Sequence, residues 1–165
     1  MIIRSEDPAD VSAIRSLIKA AFHGVEHSSQ TEGTIVDALR QAGVLSISLV
    51  AQQDNRIVGH VAFSPVRIDG DDVGWFGLGP VAVIPALQRG GVGTALIRKG
   101  LQILKQRGAS GCVVLGDPAY YRRFGFTSAH ALRYAGAPPK YFQAINFSGA
   151  SVSGEVTYHE GFEAY

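Results

Sequence analysis

A glycine-rich turn between an apolar segment and an amphipathic one limits most strongly how this chain can fold. Residues Trp75 to Val83 are nearly free of polar side chains, and after Pro85 the chain runs Gln88-Arg89-Gly90-Gly91-Val92-Gly93-Thr94. Beyond the turn, Val92, Leu96, Ile97, Leu101 and Leu104 keep helical spacing until Gly108, and Gly111 to Leu115 is a second short apolar run. The pattern predicts strand, helix, strand, a parallel crossover that needs both strands in one sheet. It also predicts an anion site. Amides at a helix N-terminus lack acceptors within the helix, the helix dipole favours negative charge there, and glycines let a phosphate reach the backbone. A tight turn made of glycines for purely local reasons accounts for the same residues. Spacing excludes two other phosphate motifs: a Rossmann turn wants a small residue at Leu96, and a Walker loop wants a Lys-Ser or Lys-Thr pair, which is missing.

The flanking segments complete an α/β (α+β) pattern. A short strand at Ile2 to Arg4 precedes a helix opened by Asp7-Pro8, with Val11, Ile14, Leu17, Ile18 and Ala21 on one face and Gly24 as its stop. A second helix is expected from about Gln30 to Ala42, with Ser29 and Glu32 as a capping box. Leu45 to Ala51 and Ile57 to Phe63 alternate around Asp54-Asn55, the pattern of an antiparallel hairpin, and Asp69-Gly70 supplies another turn. After Phe126, Pro138-Pro139 interrupts regular structure, and Gln143 to Phe147 and Glu155 to Tyr158 read as closing strands. With 165 residues and no repeat or linker, residues 1–165 read as a single domain able to bury a core without staples.

A net charge of +1 gives no basic face for a nucleic acid. One cysteine, Cys112, excludes an internal disulfide and a thiolate zinc cluster. No apolar run reaches the roughly 18 residues of a membrane span, and Met1 to Asp7 lacks the layout of a signal peptide, so a cytoplasmic protein with no membrane partner is expected.

Two stretches together resemble a known family. Val81-Ala82-Val83 followed by Gln88-Arg89-Gly90-Gly91-Val92-Gly93 is similar to the pyrophosphate signature of the GNAT superfamily of acetyl-CoA-dependent N-acetyltransferases. Gly116-Asp117-Pro118-Ala119-Tyr120-Tyr121-Arg122-Arg123-Phe124-Gly125-Phe126 resembles its second signature, a tyrosine four residues before a Gly-Phe pair, here Tyr121 and Gly125-Phe126. The resemblance covers about residues 2 to 126, and the segment around Asp117 looks most like the YhbS-like branch. It implies a mixed, centrally splayed β-sheet flanked by helices, with acetyl-CoA as co-substrate and no metal.

The resemblance further implies that Val81, Ala82 and Val83 pair with the pantetheine arm, that Gln88 to Thr94 hold the diphosphate, and that Asp117 and Tyr121 belong to the cofactor site. A neutral amine then attacks the thioester directly, a backbone N–H near Val83 holds the oxyanion, and Tyr121 protonates the departing thiolate. The acceptor is a small amine or an exposed protein amine, and homodimer formation is left open. A general base is the missing part: Gly74 to Val83 contains no ionisable residue and Gly111 to Leu115 offers only Cys112. Glu26 or Glu32 could serve through water, with Glu32 also expected as a cap. The alternative to an enzyme is an acyl-CoA-binding sensor without turnover. Three other features carry less: His23 and His27 are four apart but Gly24 breaks the helix between them, Cys112 lies in an apolar strand, and His60 sits in an alternating strand as a structural histidine.

Overall fold

The computed structural model describes residues 1–26 and 28–163. The described residues form β1 (Ile2–Ser5), α1 (Val11–Phe22), α2 (Glu32–Gln41), β2 (Ile47–Gln53), β3 (Arg56–Ile68), β4 (Trp75–Val83), α3 (Val92–Gln106), β5 (Gly111–Leu115), α4 (Pro118–Tyr121), β6 (Ala131–Arg133), β7 (Phe142–Asn146) and β8 (Ser153–Tyr158). Strands follow the order β1-β2-β3-β4-β5-β7, with β8 on β3 and β6 on β8. The predicted crossover is present: β4 and β5 pair in parallel, Trp75–Leu78 against Gly111–Val114.

Two compact units make up the chain. The first comprises residues 1–63, 79–101 and the segment from Glu160 on. The hairpin β2–β3 turns at Asp54 and Asn55, both at positive φ (52° and 61°), the backbone that short hairpins with right-handed twist require. Ile14, Leu17, Ile18 and Ala21 of α1 and Val36 of α2 are buried against Val50, Ala62 and Ala82. The N-terminal part of α3 also lies close to β3. A Cβ added to Gly59 would stand 2.8 Å from Val92 and 2.9 Å from Leu96, and one added to Gly100 would enter the ring of Phe63.

The second unit comprises residues 64–78 and 102–159. Its β5 lies between parallel β4 and antiparallel β7. Val66, Ile68, Trp75, Val113, Leu132, Phe142, Ala144 and Val156 form its core. Both closing strands are present with shifted ends, at Phe142–Asn146 and Ser153–Tyr158, and a three-residue strand at Ala131–Arg133 pairs in parallel with β8.

The start of α2 departs from the expected capping box. Thr31 is the N-cap residue, Ser29 Oγ instead meets Thr31 Oγ1 at 2.5 Å, and Glu32 accepts from Ser28 Oγ. The polar side chains in Ser28 to Glu32 satisfy one another in the loop, so α2 begins two residues later than expected. Near the N-terminus, Pro8–Asp10 forms a 3₁₀ turn before α1, closed by Asp7 N donating to Asp10 Oδ2 at 2.6 Å.

Candidate active site

In the first unit the residues of interest lie on β4 and at the start of α3. The parallel ladder to β5 covers β4 as far as Leu78, and β4 continues through Val83. Of the three residues Val81 to Val83, only Ala82 is fully buried. The Val83 carbonyl accepts from Gln88 Nε2 at 3.0 Å, so Gln88 ties the turn back to the strand. Ile84 N donates to Val58 O at 3.0 Å, anchoring the end of β4 on β3.

Arg89 (φ 67°) and Gly91 (φ 93°) both take the left-handed backbone, which turns the chain sharply ahead of α3. For Arg89 that conformation carries a small strain. Gly90 N is spent inside the turn, on Leu87 O at 3.3 Å. At the start of α3 Ala95 N donates to Gly91 O at 3.0 Å, and Val92 and Gly93 stand before it at the positive end of a 15-residue helix. Arg89 is exposed at the rim. Such a turn fits a diphosphate: amides for its oxygens, no Cβ at Gly91, and one cation beside it.

In the second unit, Asp117 is the N-cap of α4, its carboxylate accepting from Ala119 N at 2.9 Å. Tyr120 N and Tyr121 N both donate to Asp117 O at 3.0 Å. The Tyr121 ring lies on the α-carbon of Gly116, where any side chain would collide with it. It is edge-on to Tyr120 (centroids 4.9 Å apart) and Phe126 (5.9 Å). Burial, with the neighbouring Tyr120 and Cys112 adding to it, pushes the Tyr121 phenol up to about 12. At neutral pH it is a protonated donor. Gly125, at φ 99°, closes the turn before buried Phe126.

The other expected residues are spread more widely. Glu26 is exposed in the connection between α1 and α2. Glu32 lines a groove of about 230 Å³ between those helices, with Arg15, Phe22, Thr34 and Asp37. Cys112 is fully buried, and burial pushes its thiol far above the usual range, so it is an inert core residue. His23 is the C-cap of α1, while His27 lies outside the described residues.

One group escaped the reading of the sequence. Arg40 holds Glu6 in two parallel bonds of 2.8 and 2.9 Å, Ser48 Oγ donates to Glu6, and the same Ser48 Oγ lies 2.8 Å from His60 Nε2. Because the single Ser48 proton goes to Glu6, His60 must donate from Nε2, which leaves Nδ1 as a buried acceptor with no partner among the described residues. Burial lowers the His60 pKa to about 4, only partly opposed by Glu6, so the ring is neutral. Polar residues in strands that otherwise face a core were the available signal.

A family model described as an acetyltransferase (GNAT) domain matches residues 2–129. The chain belongs to the GNAT acetyltransferase family. Among curated GNAT proteins it is 38% identical to the N-acetyltransferase YhbS of Escherichia coli strain K12, over 100% of both chains. Among solved structures it is similar to a GNAT family acetyltransferase from Brucella melitensis in complex with acetyl-CoA, with 50% identity, a TM-score of 0.88, and 98% and 97% of the two chains covered. It is similar also to the E. coli YhbS structure in complex with CoA, with 37% identity, a TM-score of 0.90, and 99% and 92% covered. The mixed sheet with flanking helices is therefore the GNAT fold. Among the described residues no helix is long and apolar enough to cross a membrane.

Proposed function

We propose that this chain transfers the acetyl group of acetyl-CoA to a primary amine by direct attack on the thioester, both compact units acting as one cytoplasmic catalytic domain. What supports the reading is the turn before α3, where left-handed Arg89 and Gly91 stand directly ahead of the positive end of the helix, the arrangement a diphosphate needs. Val81 and Ala82 offer backbone to the pantetheine arm, and a β4 amide near Val83 receives the charge that develops on the thioester oxygen. The amine nitrogen bonds to the acetyl carbon, the carbon–sulfur bond breaks, and the electron pair leaves on sulfur. Tyr121 supplies the proton for that thiolate. The proton lost by the attacking nitrogen leaves through water, with Glu26 as the receiving carboxylate.

The absence of an ionisable side chain from Gly74 to Val83 favours a second reading, an acyl-CoA sensor without turnover. Release of free thiol from acetyl-CoA, measured against a panel of small amines and lysine peptides, separates the two. The enzyme releases thiol in proportion to at least one amine and yields its acetylated product. Tight CoA binding in calorimetry without thiol release from any amine would leave the sensor.

A further inference from the structure

We propose that Gln143 is a positioning residue for Tyr121, acting through the peptide of Gly116; this rests on Tyr121 being the proton donor. Gln143 is the second residue of β7, in register with Val114, between buried Phe142 and Ala144. Its side chain is 1% exposed in a strand that otherwise contributes apolar groups to the core. A buried amide costs free energy unless it is bonded, and β7 needs no side chain to pair with β5. The amide instead reaches out of the ladder: Nε2 donates to Gly116 O at 3.0 Å.

Gly116 is thereby held from both ends. Its N–H donates to Tyr141 O at 3.0 Å, and its carbonyl takes the Gln143 proton. Tyr121 is tied to this residue twice, by its ring on the Gly116 α-carbon and by its own N–H on the carbonyl of the next residue, Asp117. A side chain on Gly116 would displace the ring, and a shift of the Gly116 peptide carries the ring with it. Gln143 thus fixes the hydroxyl of Tyr121 without touching it.

A double-mutant cycle in kcat tests this. Gln143→Met keeps the length and fills the space without a donor. It should lower kcat by about tenfold or more while changing the KM for acetyl-CoA by less than about threefold, because misplacing a catalytic group by an ångström already costs orders of magnitude. In the Tyr121→Phe background the same change should cost less than about twofold, since the group being positioned is gone. Equal losses in the two backgrounds, or no loss in either, would overturn the proposal. A wild-type kcat for Tyr121→Phe alone would remove the proton donor itself, a separate and recognisable failure. Gln143→Glu adds a readout that packing cannot imitate. Its ionised carboxylate faces the Gly116 carbonyl with no proton, whereas the acid form can donate again, so its kcat relative to wild type should recover as pH falls. A ratio independent of pH in a folded variant also sinks the idea.

Discussion

Replacing Tyr121 by phenylalanine removes one hydroxyl and leaves the ring where it packs, on Gly116 and edge-on to Tyr120 and Phe126. Burial holds the phenol up to about 12, so it is protonated across any practical assay range and its own titration cannot shape the profile there. The same shift limits its strength as an acid. A thiol of ordinary pKa, about 8.5, lies well below the phenol, so on the proposed mechanism full proton transfer to the departing thiolate would be uphill and would have to accompany carbon–sulfur cleavage. The benefit then falls at the low end of general acid catalysis, about 10²-fold, or about 2.7 kcal/mol of barrier. Since the interaction exists in the transition state and hardly in the ground state, kcat should fall while the KM for acetyl-CoA stays nearly constant. Continuous thiol detection at saturating amine measures this, with Tyr120→Phe as the control. Unchanged kcat in Tyr121→Phe, or a larger loss in Tyr120→Phe, would refute the assignment and make solvent the proton source.

Gly93→Glu places bulk and negative charge among the leading amides of α3 and should weaken CoA binding by several kcal/mol; calorimetry on the folded variant would refute the cradle by finding wild-type affinity. Gly100→Ala gains about 1 kcal/mol of helix propensity but drives a methyl into the fully buried Phe63 ring, at a cost of about 1–3 kcal/mol, so a lower urea midpoint is expected and a higher one would contradict the packing. His60 is neutral when folded and has a folded pKa of about 4, below its unfolded value, so the unfolded state binds more protons and stability is lost as pH falls through the range between the two values. For this group alone the loss from about pH 7 to about pH 5 is about 2 kcal/mol, and His60→Asn should flatten that part of the urea-derived profile. The kcat/KM for amines should rise through neutral pH as the free-base fraction grows, and a flat profile from about pH 6 to about pH 9 would show that amine deprotonation does not limit the reaction.

The parts of the fold governed by local chemistry were legible in the residues. The parallel crossover followed from the change of period at Gly90 to Gly93, and the hairpin turn and the later turn from the Asp54-Asn55 and Asp69-Gly70 pairs, which accept positive φ. Residues whose polar partners are settled only by the folded chain were not. Ser29 and Glu32 have the spacing of a capping box, but Ser28 and Thr31 compete for the same groups, and only the folded loop decides between them. Gln143 reads as the first residue of a closing strand and His60 as a structural histidine in an alternating one. Their partners stand on other segments, Gly116 beyond the end of β5 and Ser48 across the β2–β3 hairpin, and the period of one strand carries no trace of a bond to another. The turn at Arg89 to Thr94 was visible because left-handed backbone of the kind found at Gly91 favours glycine, and glycine leaves a mark in the sequence.

The interleaving of the two units bears on how the protein is made. Residues 1–63 belong to the first unit, yet that unit also needs the later 79–101 and the turn at Glu160–Glu163, which packs on α2. On the ribosome, α1, α2 and the first hairpin emerge well before the segments that complete their compact unit. The nascent chain therefore holds the apolar faces of α1 and β2 exposed for much of its synthesis, the state in which chaperones engage and aggregation begins. Folding yield in the cell should thus depend on residues close to Glu160 as strongly as on the helices translated first.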